Sequence, residues 1–391
     1  MKLLDKPSIA PADSPIQPPK PRLDWVDNLR TLMIVFVVNM HACVTYSHVG
    51  SWYYNSPPEP SLNQKLPFVF WQAHLQSFFM GLLFLLAGYY ADRSLARRGA
   101  GSFVKERLRR LGIPTLVYML AVHPFIVLVL HPGYAAGTWA DYLHFVISGR
   151  FIGASGPMWF AFALLLFSLA FAAVGNRLPN PKSAPLRLSP VALIAIGAAL
   201  AVASFLVRIV QPLGSSVLNF QLAYFSQYVV AFGLGIYVSR RDGLSALAGS
   251  PVARRAGLAG VILGPIALAG VAIASLPIPE HAPPAFNGGW NLPALLLASW
   301  EQLTGIALAL GAIAFCAYRL NRKTPLSAWL SDRSFAVYML HPPVLVAISL
   351  LLQPVRTNPF VMAPIVTILG LGVSYAVADL ARRLPGLRTV L

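Results

Sequence analysis

The chain has 391 residues, of which 57% are hydrophobic and only 11% are charged, and its formal net charge is +17. A soluble domain carries roughly 25% charged residues, so this composition excludes a soluble globular protein. The cations lie in short segments between apolar blocks, where they set membrane topology, so no nucleic-acid partner is expected.

Residues 1–22 are rich in proline and lack an apolar core, so they are predicted to form a disordered cytoplasmic tail. Residues 23–391 form one predicted membrane domain, built from apolar blocks of about twenty residues, the length that crosses roughly 30 Å of hydrocarbon. Backbone groups in lipid must be paired within their own segment, so each block is predicted to be a helix. The predicted helices cover residues 30–48, 68–90, 111–130, 157–174, 190–210, 218–239, 254–275, 292–318, 334–352 and 360–380.

The distribution of Lys and Arg predicts the orientation of these helices. Of the 30 cations, 26 lie in one set of alternate connecting segments and three in the other, and Arg208 lies inside a helix. Cytoplasmic loops carry the excess of Lys and Arg, and the alternation requires an even number of crossings. The fold class is therefore all-α: a polytopic membrane helical bundle with about ten transmembrane helices and both termini in the cytoplasm.

Ionisable residues inside a membrane helix are costly, and each is a candidate for function. His41 lies eleven residues after Arg30, roughly 16 Å along the helix axis, at or beyond mid-membrane. Arg208 and Glu301 are expected near the outer ends of their helices, where a charge pair facing water would lower the cost of both. The full set is His41, His74, Arg208, Glu301 and His341, of which His341 is expected nearer the cytoplasm.

These residues also have structural interpretations. His74 and His341 could each hydrogen-bond a neighbouring helix, and Arg208 could extend to the lipid headgroups. No His-x3-His or Cys-x2-Cys spacing occurs, so no metal site is predicted. The seven cations of residues 93–110 set topology, and they could also bind a phosphorylated donor, because the arginine fork matches phosphate geometry.

Five motifs in the chain resemble those of acyltransferase family 3, the membrane acyltransferases of bacterial surface carbohydrates. The likeness runs over residues 23–380, and one motif departs from the family pattern because Ala87 stands where serine is usual. In chain order the matches are Arg30-x10-His41, residues 84–90 (Phe-x-x-Ser-Gly-Phe in the family), 103–114 (Arg-x-x-Arg), 158–160 (Leu-Trp-Phe) and 334–343 (Ser-x3-Tyr-x2-His).

Within the family, the chain resembles the branch that succinylates periplasmic glucans. Arg208, Glu301 and the segments 46–52, 59–62 and 217–220 carry this likeness. Relatives with other acceptors share these features, so both a succinyl and an acetyl donor stay open.

The resemblance implies a membrane O-acyltransferase of the bacterial inner membrane. It would move a succinyl or acetyl group from cytoplasmic acyl-CoA to a hydroxyl of an extracytoplasmic, periplasmic glycan. Acyl-CoA is then a co-substrate and no cofactor is expected. The expected partners are acyl-CoA, the glycan and the lipid bilayer, and a homodimer stays open.

The same resemblance assigns roles to residues. His41 is expected to act as general base, with Glu301 orienting it and Arg208 stabilising the oxyanion or a succinyl carboxylate. Direct transfer in a ternary complex and an acyl-histidine relay both fit this set. The residues expected to bind acyl-CoA are Arg30, Arg107, Arg110, Trp159, Tyr338 and His341, and those expected to bind the acceptor are His48, Trp52 and His74.

The alternative from another class is a polytopic transporter or flippase of a glycan or of an acylated intermediate. Buried His, Glu and Arg also suit proton-coupled transport, although the sequence has no inverted repeat or paired broken helices. An enzyme that acylates a lipid-linked or antibiotic acceptor would differ only in substrate. A purely structural protein would have little reason to bury Glu301 and His41.

The predicted topology can be tested with reporter fusions. Green fluorescent protein fused after residue 391 should fluoresce, because the C-terminus is expected in the cytoplasm. Alkaline phosphatase inserted in the outer segment 51–67 should be active. An inactive phosphatase there, with an active one at the C-terminus, would reverse the orientation.

Overall fold

The computed structural model describes residues 23–131, 139–177, 186–276, 284–355 and 357–387. Within these ranges ten helices are long and apolar enough to cross a membrane, so the chain is an all-α, multi-pass membrane protein, as predicted. The predicted tail, residues 1–22, lies outside the described residues. The membrane helices are α1 (Asp24–Ser47), α2 (Leu62–Arg98), α3 (Ala100–Leu130), α4 (Gly156–Val174), α5 (Pro190–Val210), α6 (Leu222–Arg240), α7 (Pro251–Ala274), α8 (Leu292–Arg319), α9 (Pro325–Leu351) and α10 (Pro359–Ala381).

Several helices are longer than the apolar blocks that predict them. α3 begins at Ala100 rather than at residue 111, and α9 begins at Pro325 rather than at residue 334. The added turns carry cations. A prediction based on hydropathy ends the helix at such residues, although the backbone remains helical. Two short helices, Trp139–Ile147 and Leu244–Gly249, were not predicted.

Polar contacts join one set of helix ends. Asn28 at the start of α1 donates to the carbonyl of Leu320, between α8 and α9, at 2.6 Å. Arg240 at the end of α6 donates to Asp92 near the end of α2 at 2.9 Å. The side of the bundle where α1 begins and where α2, α6, α8 and α10 end is called the basic end below, because it carries most of the cations.

The remaining connections meet at the opposite end. The Leu213 amide, between α5 and α6, donates to the carbonyl of Asn287, between α7 and α8, at 2.8 Å. The Asn219 amide side chain donates to the carbonyl of Gly156, at the start of α4, at 2.8 Å. These contacts agree with a chain that crosses from one end to the other with each helix.

Glycines on both helices allow α2 and α6 to approach closely. A Cβ on Gly235 of α6 would collide with the carbonyl oxygen of Leu85 in α2, and one on Gly88 of α2 would collide with the carbonyl of Phe232. Small residues are common between helices in membranes, where association depends on close van der Waals packing. The α2–α6 pair forms the centre of the bundle, and α1 packs against α9 and α10 at its side.

The third helix departs from regular α-helical geometry. Two π-helical turns, Leu108–Gly112 and Tyr118–Val122, are each followed within two residues by a proline. Proline cannot donate a backbone hydrogen bond, and the turn before it must adjust. The carbonyl of Leu120, which Pro124 cannot bind, accepts a hydrogen bond from the Tyr142 hydroxyl at 2.9 Å. This bond attaches the short helix Trp139–Ile147 to α3.

The close α2–α6 contact yields a prediction about stability. Gly235→Ala should lower the thermal unfolding midpoint in detergent, because overpacking a core typically costs about 1–3 kcal/mol. Gly233→Ala is the matched control on the same helix, since a Cβ there meets nothing within 4 Å. Equal midpoints for the two variants would contradict the backbone contact.

Candidate functional site

Two histidines from distant parts of the chain lie side by side in the bundle. Nδ1 of His41 in α1 is 3.1 Å from Nε2 of His341 in α9, and the two rings are nearly parallel with centroids 5.1 Å apart. His341 is 0% exposed, whereas His41 is partly exposed. The expectation that His341 lies nearer the basic end is therefore wrong: the packing of α1 along α9 brings the two rings to the same depth.

The hydrogen bonds of His341 determine which nitrogens carry hydrogen. Its Nδ1 is 2.7 Å from the carbonyl oxygen of Tyr338, which can only accept, so Nδ1 is the donor. In the neutral ring Nε2 then has a lone pair and accepts from Nδ1 of His41. With Nδ1 of His41 donating, Nε2 of His41 is left with a lone pair. A general base needs such a nitrogen.

An indole ring covers one face of His41. Trp52, in the connection between α1 and α2, stacks on His41 with ring centroids 3.9 Å apart and planes 21° apart. Nε1 of Trp52 is buried without a hydrogen-bond partner in the described chain. Of the residues predicted to bind the acceptor, Trp52 is the one that the structure brings to His41.

His48 holds this connection in place. It ends α1 in a left-handed conformation with φ of +56°, and its Nε2 lies 2.9 Å from the carbonyl oxygen of Ser56. The Ser56 amide in turn donates to the carbonyl of Thr45 at 2.9 Å. The His48 side chain is therefore bound within the loop, so its described contacts do not support the predicted contact with the acceptor.

His74 lies on α2, where its ring contacts a neighbouring helix. Its Nδ1 binds the carbonyl of Phe70 at 2.6 Å, and its ring packs edge-on against Trp300 of α8 with centroids 5.0 Å apart. The Trp300 indole donates to the carbonyl of Gly264 in α7. His74 thus lies at the contact of α2, α7 and α8, and among the described residues it has no ring contact or hydrogen bond with the His41 pair.

Aromatic rings extend from the histidine pair into the bundle. Tyr338, one turn before His341, donates its hydroxyl hydrogen to the carbonyl of Pro157 and so joins α9 to the start of α4. Trp159, which is predicted to bind acyl-CoA, belongs to the same row of rings. Starting at His341, the successive rings are Tyr338, Phe160, Phe84, Tyr228 and Trp159, with neighbouring centroids 4.8 to 6.2 Å apart.

The predicted charge pair is present. Nη2 of Arg208 lies 2.9 and 2.8 Å from the two carboxylate oxygens of Glu301, and Nε donates to the carbonyl of Ala223. Arg208 is 0% exposed and Glu301 is 5% exposed, so Arg208 does not extend to the headgroups. The pair is enclosed by protein, which contradicts the expectation that it faces a water-filled cavity.

The partners of Glu301 also contradict its expected action on His41. Its carboxylate binds Arg208 and, at 3.0 Å, the amide of Gln302, and no hydrogen bond in the described chain joins it to His41. His341 orients His41 instead. Nη1 of Arg208 is buried without a partner in the same region.

Four arginines meet at the basic end. Glu106 pairs with Arg98 at 3.1 Å and with Arg110 at 2.6 Å. Arg107 lies over the ring of Phe103, one turn earlier in the helix. It interacts electrostatically with Arg30, Arg98 and Arg110. Arg30 in turn lies 4.0 Å from Asp27, so two carboxylates face four guanidinium groups and the cluster keeps a net positive charge. The structure thus brings the three predicted arginines, Arg30, Arg107 and Arg110, together.

Sequence reasoning did not single out His123. Nδ1 of His123 in α3 is 2.8 Å from the hydroxyl of Tyr53, the residue next to Trp52, and the Tyr118 hydroxyl is 3.1 Å from the same oxygen. His123 lies inside the predicted helix 111–130, where burying a histidine costs as much free energy as at His41, His74 and His341. That cost is the signal by which the sequence could have identified it.

The comparisons with known proteins point to one family. A family model described as an acyltransferase domain (acyltransferase 3) matches residues 23–379, nearly the whole chain. No curated protein and no solved structure matches the chain.

The buried charge pair predicts an asymmetric response to mutation. Glu301→Gln or Arg208→Met alone should destabilise the protein by about 3–5 kcal/mol, because each leaves an uncompensated buried group. The double variant should be less destabilised than the sum, as measured by unfolding in detergent. Lys65→Gln, which breaks the exposed pair with Glu59, is the control and should not change the midpoint. Additive single effects would contradict a direct interaction.

Proposed function

We propose, because the chain belongs to acyltransferase family 3, that this membrane acyltransferase moves an acyl group from acyl-CoA at its basic end to a hydroxyl of a glycan that enters from the opposite end. The observation that carries the proposal is the free lone pair on Nε2 of His41, set by the hydrogen bond to His341. The family supports a bacterial inner membrane, and the Lys and Arg distribution supports a basic end in the cytoplasm.

The arginine cluster is the proposed site for the CoA phosphates. Guanidinium groups bind phosphate oxygens in pairs, and the excess positive charge of the cluster favours a polyanion. Eleven residues separate Arg30 from His41, so the two side chains lie within about 20° of each other around α1 and roughly 16 Å apart along it. A flexible thioester arm bound along that face would reach His41 from the phosphates.

His41 and the substrates can complete the transfer without a further nucleophile. Nε2 of His41 takes the proton from the acceptor hydroxyl while its oxygen bonds to the thioester carbonyl carbon. The carbon–sulfur bond then breaks, and the leaving thiolate takes the proton back from Nε2, which regenerates neutral His41 and releases CoA. His341 keeps Nδ1 of His41 as the donor throughout, and so keeps Nε2 available for the proton.

The charge pair does not select the acyl group. Arg208 and Glu301 are 0% and 5% exposed, so the pair is enclosed by protein and both expected donors, acetyl and succinyl, stay open.

The opposite end offers rings for a sugar. Trp52 lies on His41, and Trp290, at the end of the α7–α8 connection, is 78% exposed and packs against Phe205. The apolar faces of pyranose rings stack on exposed aromatic rings. We therefore assign the glycan acceptor to this end, and a lipid-linked saccharide would use the same rings.

The test is CoA release by purified protein in detergent, with acetyl-CoA or succinyl-CoA and extracted periplasmic glycans. His41→Ala should lower the acceptor-dependent rate about 10²–10⁴-fold, the usual contribution of general base catalysis. His144→Ala removes an exposed histidine of the short helix Trp139–Ile147 and should change the rate by less than about twofold.

The outcomes distinguish an acyltransferase from a transporter or flippase. Release that depends on both glycan and His41 supports the proposal, and the preferred donor identifies the acyl group. If neither donor is consumed, and the protein instead moves glycan or protons across liposomes, the assignment of donor and acceptor is wrong and transport is favoured.

A further inference from the structure

A second histidine site lies beside the acyl-transfer site. The hydroxyl of Tyr53 is shared between Nδ1 of His123, at 2.8 Å, and the hydroxyl of Tyr118, at 3.1 Å. Tyr53 also packs edge-on against Trp52, with ring centroids 5.3 Å apart. The connection that carries Trp52 is thus attached to α3 directly next to the residue that covers His41.

The π-helical turn explains why one helix supplies both partners. Tyr118 and His123 are five residues apart, which on an α-helix places them about 140° apart around the axis. Here the His123 amide donates to the Tyr118 carbonyl, the i to i+5 pattern of a π-helix. The wider turn brings both side chains to one face, and such turns frequently occur at functional sites.

The protonation of the cluster follows from its geometry. Burial raises the pKa of Tyr53 to about 12, so the phenol stays protonated at neutral pH and can donate to His123. Nδ1 of His123 then accepts from Tyr53, and Tyr53 accepts from Tyr118. In this arrangement, in which Nδ1 of His123 carries no hydrogen, each hydrogen of the cluster has one acceptor.

The backbone opposite the cluster leaves room for it. Gly156, at the start of α4, has φ of +47°, and a Cβ there would collide with the Tyr53 hydroxyl and the Tyr118 ring. Three elements therefore meet around one hydroxyl: the α1–α2 connection, α3 and the start of α4. That hydroxyl is one of the points at which the Trp52 connection is bound to the bundle, beside the bond from the Gln72 amide to the Val49 carbonyl.

We propose that His123 is a positioning residue of the acyl-transfer site: by accepting a hydrogen bond from Tyr53 it holds Trp52 over His41. This inference rests on the proposed function for its kinetic effect, but not for its effect on the exposure of His41. Loss of the bond releases Trp52 and leaves the face of His41 open to reagents and to water.

Four variants separate this role from general packing. Tyr53→Phe removes only the shared oxygen. His123→Leu removes the acceptor at similar size, whereas His123→Asn keeps an acceptor atom near the position of Nδ1. His144→Leu is the control, since it removes an exposed histidine that lies on the short helix Trp139–Ile147.

The first measurement needs no activity: carbethoxylation of His41 by diethyl pyrocarbonate, followed by peptide mass spectrometry. Tyr53→Phe and His123→Leu should raise the rate about tenfold, as expected for loss of one hydrogen bond, and His123→Asn should restore a rate near that of the wild type. If His123→Leu does not fold, the single-oxygen change in Tyr53→Phe decides the question.

The second measurement is acyl transfer by the same variants. A fall in kcat that His123→Asn rescues supports the proposal. Unchanged His41 labelling in both Tyr53→Phe and His123→Leu overturns it, as does equal labelling in His123→Asn and His123→Leu. An inactive wild type whose variants still show the labelling pattern would count against the proposed function and leave the positioning role standing.

Discussion

The hydrogen bond between His41 and His341 is the interaction on which the proposed acyl transfer depends. A histidine in a membrane is useful as a base only if a defined nitrogen is free, and the identity of that nitrogen is set by what the other nitrogen binds. The Tyr338 carbonyl fixes His341, and His341 fixes His41. The packing of α1 on α9 therefore determines the reactive atom as well as the fold.

The cost of burying polar groups in an apolar medium explains most of the remaining polar contacts. A buried charge is tolerated when a partner compensates it, and Arg208 and Glu301 compensate each other between α5 and α8. The Leu120 carbonyl, which loses its partner because of Pro124, is bound by Tyr142. Polar atoms in several parts of the bundle, Nε1 of Trp52 and Nη1 of Arg208 among them, remain unpaired in the described chain. Nε1 of Trp52 belongs to the ring that stacks on His41, where unfilled hydrogen-bonding capacity can serve a substrate.

The sequence predicts some of these features much better than others. The ten helices are predictable because each apolar block is long enough to cross the hydrocarbon of a bilayer. His41 is predictable because it follows Arg30 at the family spacing. The contact of His41 with His341 joins positions 300 residues apart, which no local pattern reveals. Charge complementarity predicts the pairing of Arg208 with Glu301, but it does not predict that the pair excludes Glu301 from His41. His123 was missed for a further reason: only a π-helical turn aligns it with Tyr118, and α-helical periodicity does not contain that turn.

The histidines of the bundle show why residue type and depth do not suffice to identify a site. Nδ1 of His74 and Nδ1 of His341 both bind carbonyl groups one turn earlier in their own helices, at 2.6 and 2.7 Å. The two rings therefore have the same tautomer and nearly the same local geometry. They differ in what their Nε2 atoms face: Nε2 of His341 accepts from His41, whereas Nε2 of His74 is buried without a partner near Gly264. Because a histidine acts through the nitrogen that its own helix leaves free, the neighbour of that nitrogen decides what the ring can do, and only tertiary structure supplies that neighbour.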